Sequence, residues 1–150
     1  MRTPEETKEI SRTFIDEVFN KRNLKHAEEI LAEGFVEHNP LSPDMGNDRA
    51  AALATMQAIL DLSPDMTVQV NELIATGDRV AIRATYSGTD SAGGWGAPMG
   101  APATGKPFSV EGIDVAILDE EGKFIEHYGI FDVPGMLVQL GLMPAPGGQA

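Results

Sequence analysis

The residues best suited to acid–base chemistry in this chain are a few carboxylates and histidines in predicted extended segments. Asp132 stands between an apolar strand-like run and an apolar helix-like run in HYGIFDVPGMLVQLG, residues 127 to 141. Glu111, His38 and His127 are the other candidates. A carboxylate or histidine of this kind, with its pKa tuned by burial, can remove a proton alpha to a carbonyl group. We therefore predict these four residues as catalytic candidates.

Asp132 has a second interpretation that requires no catalysis. It directly precedes VPGMLVQL, which places Pro134 in the first turn of a predicted helix. Aspartate is a preferred N-cap residue, and such a cap contributes about 0.5–2 kcal/mol. The sequence leaves open whether Asp132 is a catalyst, a helix cap or both.

The composition is that of an ordinary globular protein. Hydrophobic residues make up 42% of the chain and charged residues 23%. The net charge of −12 repels phosphate groups, so neither nucleic acid nor a membrane surface is expected as a partner. The chain has no cysteine, which excludes disulfides and thiolate chemistry. Its three histidines are not spaced as a metal cluster, so we expect no metal site.

The N-terminus lacks the apolar region of a signal peptide. No window of the sequence approaches the apolar length needed to span a bilayer. A cytoplasmic setting is therefore expected.

Hydrophobic periodicity predicts helices first and strands afterwards. Residues 3 to 6, TPEE, combine a cap, an early proline and a capping-box glutamate, and the helical pattern continues to about Asn20. A second helix begins at Asn23 and is terminated by Gly34, and a third follows Asp48. Alternation with a period of two then predicts about four strands in hairpins, followed by a short last helix.

This element order predicts an α+β fold in a single domain over residues 1–150, with its core at about 5–144. We expect a cone-shaped, curved antiparallel or mixed sheet, covered by three N-terminal helices and followed by a short C-terminal helix. Such a cone can hold a small ligand. The Gly-, Ala- and Pro-rich residues 88–105 are predicted to form a long loop. Residues 89–104 of it are expected to be mobile or ordered by a partner, at the cavity mouth or a subunit interface.

Strand parity predicts which side chains share a face of the sheet. Glu111, Ile113, Val115 and Ile117 point the same way, and three of these four are apolar. This face is therefore predicted to be the interior, with Glu111 at its end. In residues 126 to 132, parity alone does not choose between the two faces.

Three segments carry a resemblance to a known family. They are FVEHNP, GDRVAIRATYSGT and TGKPFSVEGIDVAILDEEGKFIEHYGIFDVPGMLVQLGLMP. These segments resemble the SnoaL-like family of small polyketide cyclases and ester cyclases, over roughly residues 5 to 144. The resemblance implies the cone-shaped α+β barrel of the nuclear transport factor 2-like superfamily, on which homodimers are common.

The resemblance also implies a function. It favours cofactor-independent acid–base catalysis of an aldol-type ring closure on a small, apolar, polyketide-like carbonyl compound. Two alternatives stay open on the same fold. One is a non-catalytic small-molecule-binding domain, and the other is a hydratase, hydrolase or hydroxylase.

Limonene epoxide hydrolases share this fold, and similarity to them implies that His38, Arg83 and His127 face the pocket. The two acids of those hydrolases fall at Gly129 and Thr85 in this sequence, so epoxide hydrolysis by their mechanism is not expected. The missing acids also favour the non-catalytic alternative. The residues predicted to bind substrate are Arg83, Asn39, Tyr128, Phe131 and Trp95.

Overall fold

The computed structural model describes residues 2–147 of the chain and contains, within them, four α-helices and a five-stranded sheet. The helices are α1 (Pro4–Ile15), α2 (Leu24–Ile30), α3 (Arg49–Leu62) and α4 (Val133–Gln139). The strands are β1 (Leu31–Glu37), β2 (Thr67–Ala75), β3 (Arg79–Thr89), β4 (Pro107–Leu118) and β5 (Phe124–Phe131). No helix in this part of the chain is long and apolar enough to cross a membrane.

The sheet is mixed and open. Its strand order is β1-β5-β4-β3-β2, with β1 parallel to β5 and all other neighbours antiparallel. The predicted α+β fold is confirmed, but the sheet is not closed into a barrel. Side chains of α1, α3 and the strands form the main hydrophobic core, so the helices cover one face of the sheet. We call this the concave face and the opposite one the convex face.

Local sequence explains where the helices begin. Thr3 and Glu6 form the predicted capping box, in which the Glu6 carboxylate accepts a hydrogen bond from the Thr3 backbone N–H at 2.7 Å. Asp48 caps α3 by accepting a hydrogen bond from the Ala51 backbone N–H at 2.8 Å. The helical pattern after α1 continues as a π-helical turn at Asp16–Asn20.

The second helix is shorter than predicted. It ends at Ile30, and Gly34 lies inside β1 instead of terminating the helix. β1 forms because its residues pair in parallel with β5. Local propensities do not predict a contact between segments so far apart in the sequence. The sheet therefore has a fifth strand, which ends at Glu37.

The parity predicted for β4 was wrong. Ile113 is 59% exposed, whereas Val110 and Ala116 on the opposite face are 5% and 4% exposed. The concave face of β4 therefore carries Gly112, Asp114 and Ala116, and the predicted interior residues lie on the convex face. Alternation over residues 111–117 misidentified the interior because that segment holds the apolar part of the convex face, whereas the buried Phe108 and Val110 of the concave face lie before it.

A β-bulge decides which side chains of β5 face the helices. The pairing register shifts between Ile117 opposite Glu126 and Leu118 opposite Phe124. Phe124 and His127 consequently both face the concave side, although a regular strand would place residues three apart on opposite faces. Sequence parity alone could not have placed His127.

The loop between β3 and β4 is held by contacts within the chain. Asp90 is fully buried and accepts hydrogen bonds from the backbone N–H groups of Trp95 and Thr104 at 2.7 and 2.8 Å. A buried carboxylate of the chain itself thus ties the start of the loop to Trp95 and to Thr104. That the loop is mobile or ordered by a partner stays a prediction.

Candidate active site

A cavity of about 160 Å³ lies between the concave face of the sheet and the helices. Its walls are mostly apolar and aromatic. Glu37, Asp114 and His127 are the charged side chains on this wall. The apolar lining includes Phe14, Phe35, Met56, Ile82, Phe108 and Phe131.

His127 is the centre of a chain of hydrogen bonds in this wall. Its Nδ1 lies 2.6 Å from Glu37 Oε2, and its Nε2 lies 3.0 Å from Asp114 Oδ1. The Tyr86 hydroxyl donates a hydrogen bond to Asp114 Oδ2 at 2.9 Å. The carboxylates of Glu37 and Asp114 are each only 16% exposed. The result is a continuous polar network beside an apolar cavity.

Four neighbouring strands each supply one member of this network. Glu37 is the last residue of β1, His127 lies on β5, Asp114 on β4 and Tyr86 on β3. The order of these strands in the sheet is also the order of the hydrogen bonds. The sheet hydrogen bonds therefore fix the backbone under every member, and the site is preorganised.

The charge of His127 follows from its two carboxylate partners. Burial alone lowers the pKa of the imidazole, but hydrogen bonds and charge attraction from Asp114 and Glu37 outweigh burial and raise this pKa from 6.5 to about 9. Both ring nitrogens are then protonated at neutral pH and donate to the carboxylates. The imidazolium balances one carboxylate and leaves the site with a negative charge.

Tyr86 keeps its proton in this environment. Burial raises the pKa of its hydroxyl well above 10, and the adjacent Asp114 charge and hydrogen bond raise it further. The Tyr86 hydroxyl is therefore a hydrogen-bond donor throughout the physiological pH range.

Gly129 makes room for the contact between Asp114 and His127. It is the cross-strand partner of Asp114. A Cβ atom at position 129 would overlap Asp114 Oδ1 and lie 2.6 Å from His127 Cε1. The space beside Gly129 is thus filled by a carboxylate from the neighbouring strand.

Four of the residues predicted from the sequence line the cavity. They are His127, Asn39, Phe131 and Trp95. The Asn39 backbone N–H also donates a hydrogen bond to Glu37 Oε1 at 3.0 Å, which holds the second oxygen of that carboxylate.

The expected cavity position of His38 is corrected. The His38 ring stacks on Tyr128 with 4.0 Å between ring centroids, and its Nε2 lies 2.8 Å from Glu126. Tyr128 is 41% exposed on the convex face, so neither ring reaches the cavity. The physical reason is alternation, because His38 directly follows Glu37, whose side chain takes the concave side.

Glu111, Arg83 and Asp132 also lie outside the cavity. Arg83 Nη1 is 2.7 Å from Glu111 on the exposed convex face, and this pairing with Glu111 and with Glu72 raises the pKa of the guanidinium. Asp132 caps α4 by accepting a hydrogen bond from the Gly135 backbone N–H at 2.8 Å. The pocket positions expected for Glu111 from strand parity and for Arg83 from the resemblance to limonene epoxide hydrolases are corrected. For Asp132 the structure shows the helix cap, one of the roles that the sequence leaves open.

Sequence reasoning missed Glu37, Asp114 and Tyr86. One available signal was Asp114 itself, a carboxylate that alternates with Gly112 and Ala116 in an otherwise apolar strand. Small residues around an acid leave the space that a ligand or a second polar group requires. Within residues 2–147, no group of three or more His, Cys, Asp or Glu side chains is arranged to hold a metal ion.

The described residues thus form an open α+β sheet with a histidine–carboxylate network beside an apolar cavity. The family model for SnoaL-like polyketide cyclase matches residues 9–140. The chain belongs to the SnoaL-like polyketide cyclase family.

Solved structures agree with this family. IdmH from Streptomyces antibioticus, a proposed polyketide cyclase, is 31% identical, with 90% of this chain and 98% of that chain covered and a TM-score of 0.75. AclR from Streptomyces galilaeus, a proposed hydroxylase, is 25% identical, with 96% and 86% covered and a TM-score of 0.78. A SnoaL-like protein from Jannaschia sp. CCS1 is 18% identical, with 96% and 97% covered and a TM-score of 0.80, which shows the fold alone. Among curated proteins, none matches the chain in sequence.

Proposed function

We propose that this protein catalyses cofactor-independent acid–base chemistry on a small apolar carbonyl compound, of the kind that closes a ring by an intramolecular aldol reaction. The observation that carries this proposal is the hydrogen-bonded chain from Tyr86 through Asp114 and His127 to Glu37. It supplies a base and an acid side by side in an apolar cavity. Family membership supports the same conclusion.

Asp114 is the base in this proposal. It lines the cavity, and its second oxygen already accepts a hydrogen bond from the Tyr86 hydroxyl. His127 cannot take the proton itself, because both of its ring nitrogens are engaged by carboxylates. His127 is therefore a positioning residue that orients Asp114 and balances the charge of the site.

The reaction that follows is balanced without an oxidant or a second reactant. Asp114 takes the proton alpha to one carbonyl, and the carbanion forms a carbon–carbon bond to a second carbonyl of the same molecule. The new alkoxide takes a proton from the Tyr86 hydroxyl, and Tyr86 regains one from Asp114. The product is an isomer of the substrate, and the apolar walls keep water away from the carbanion.

Proton removal can be tested without the natural substrate. Exchange of the alpha protons of phenylacetone in D₂O, followed by NMR, reports the base directly. We expect the wild-type protein to accelerate this exchange and Asp114→Asn to slow it by about 10²–10⁴-fold, the usual contribution of a general base. Asparagine preserves the shape of the side chain and can still accept the Tyr86 hydrogen bond.

The matched control is Glu111→Gln, which makes the same chemical change on the convex face, where Glu111 contacts Arg83. We expect its exchange rate to equal that of the wild type. A wild-type protein that does not exceed the buffer rate, or an Asp114→Asn variant as fast as the wild type, would contradict the proposed chemistry.

We also propose that a second copy of the chain binds the convex face, as the sequence led us to expect. Ile113 and Ile130 are cross-strand neighbours there and are 59% and 72% exposed. Exposed apolar patches of this kind mark association sites. Sedimentation of Ile130→Lys should show less self-association than the wild type, and a wild-type protein that sediments as a monomer would contradict the dimer.

A further inference from the structure

The long loop between β3 and β4 contains a buried acid that the proposed chemistry does not use. Asp90 is fully buried. Burial alone raises the pKa of its carboxyl, but hydrogen bonds from Thr104 and Trp95 outweigh burial, and the net shift is downward. Asp90 is therefore an anion held entirely by donors of its own loop.

These hydrogen bonds close the loop at both ends. Asp90 Oδ1 accepts from the Trp95 backbone N–H at 2.7 Å, and Oδ2 accepts from the Thr104 backbone N–H and hydroxyl, each at 2.8 Å. The backbone of Asp90 also pairs with Lys106 and Gly105 at 2.9 Å each. A carboxylate that joins residues fourteen apart in this way fixes the path of the chain between them.

The same loop positions Trp95 in the wall of the cavity. Its indole Nε1 donates a hydrogen bond to Ser63 Oγ at 2.9 Å. The ring packs edge-on against Phe108 and Phe131, with centroids 5.8 and 6.1 Å away. Trp95 is thus held through its backbone by Asp90, through its ring nitrogen by Ser63 and through T-shaped aromatic packing, while it lines the cavity.

The volume of the cavity limits the size of the ligand that can bind beside Trp95. At about 160 Å³ it is close in size to an engineered apolar cavity of about 150 Å³ in another protein that accepts benzene. A fused multi-ring compound needs more space than this, and the Trp95 indole is one of the large side chains that bound the cavity. Removing the indole would therefore enlarge the cavity.

We propose that Trp95, clamped by Asp90 and Ser63, is a specificity-determining residue that restricts the cavity to carbonyl compounds with a single ring. This inference rests on the proposed function for the carbonyl chemistry of the ligand, but it concerns binding and not turnover.

A series of ketones of increasing size tests it by calorimetric binding. Phenylacetone has one ring, 2-acetonaphthone has two and 2-acetylanthracene has three. We expect the wild type to bind phenylacetone in preference to both larger ketones. In Trp95→Ala the preference for one ring over two should fall by about tenfold or more, since lost apolar contacts in a pocket change affinity by about that much. Because Trp95 is the single tryptophan of the chain, its fluorescence gives a second binding signal in the wild type.

The control for the loop is Met99→Ala. Met99 belongs to the same loop but is 56% exposed, so the ring preference should stay at the wild-type value. Trp95→Phe should give an intermediate preference. If Trp95 only holds the loop in place, Trp95→Ala would weaken the binding of one-ring and two-ring ketones equally.

Three results would overturn the inference. They are a wild type that binds the two-ring ketone as tightly as phenylacetone, a wild type that binds none of the three, and an unchanged ring preference in Trp95→Ala. Asp114→Asn separates this outcome from the proposed chemistry, since that variant should lose proton exchange and keep the wild-type ring preference.

Discussion

The two faces of the sheet carry the same kind of pair, a histidine beside a carboxylate, with different consequences. On the concave face, His127 lies between Glu37 and Asp114, which are each 16% exposed. On the convex face, His38 lies 2.8 Å from Glu126, whose side chain is 36% exposed. Solvent weakens the convex pair, whereas burial among helices strengthens the concave one. The residue types and the distance alone therefore do not set the strength of the interaction, because it also depends on how far the pair is shielded from solvent.

The largest expected difference comes from removing each histidine. His127→Gln leaves two shielded carboxylates without the cation between them, and we expect the free energy of unfolding to fall by about 2–3 kcal/mol, as for lost hydrogen bonds to charged groups. His38→Gln breaks a surface pair and should cost about 0–1 kcal/mol. Urea denaturation of both variants measures the two losses in free energy of unfolding. Equal losses would show that shielding does not distinguish the two faces.

A smaller effect is expected from adding one methyl group to the concave face. Gly129→Ala would force Asp114 and His127 apart, because the new Cβ overlaps Asp114 Oδ1. We expect a loss of about 1–3 kcal/mol, as for overpacking, and a decrease in the His127 pKa measured by NMR titration.

Gly34→Ala is the matched control for this change. Gly34 is also a strand glycine, but a Cβ there would meet no atom within 4 Å. Its free energy of unfolding should stay within about 0.5 kcal/mol of the wild type. An unchanged His127 pKa in Gly129→Ala would show that Gly129 does not make room for the contact.

The pH dependence of stability sharpens the comparison further. The pKa of His127 is raised from 6.5 to about 9, so the folded state keeps a proton that the unfolded state releases. The stability contributed by His127 is complete below about pH 6.5 and is lost as pH rises through about 9. Melting temperatures between these limits should fall in the wild type and change less in His127→Gln. The same slope in both proteins would contradict the raised pKa.

The smallest effect is expected at Asp132. Asp132→Asn should leave both the melting temperature and the exchange of phenylacetone protons unchanged, because asparagine caps a helix about as well as aspartate. Asp132→Ala should cost about 0.5–2 kcal/mol through the lost cap, with proton exchange by the folded protein unchanged. A loss of proton exchange in Asp132→Asn would show that the Asp132 carboxylate takes part in catalysis.

Predictions from the sequence succeeded where the cause is local. The capping box of Thr3 and Glu6 and the caps at Asp48 and Asp132 are contacts across three residues, so spacing alone identifies them. The α+β class follows from the order of periodic segments. The end of α2 and the start of β1 were misplaced, because β1 exists through pairing with β5, which lies far along the chain.

The candidate site was predicted only in part for the same reason. His127 was among the predicted residues, but its partners Glu37 and Asp114 are 90 and 13 positions away. Only the completed sheet brings them together, and only the β-bulge turns His127 towards them.

The sequence by itself determined the family, the class of fold and the helix caps, because these depend on neighbouring residues and on the order of elements. The tertiary structure decided which face of the sheet is the inside. Alternation divides β4 into two faces, and within residues 111–118 the face of Ile113 and Val115 looks the more apolar. Over the full strand the other face also carries the buried Phe108 and Val110. The helices nevertheless cover the face with Gly112, Asp114 and Ala116, where small side chains leave the cavity open. Burial depends on what packs against a strand, and the alternation within a short segment of the strand does not contain that information.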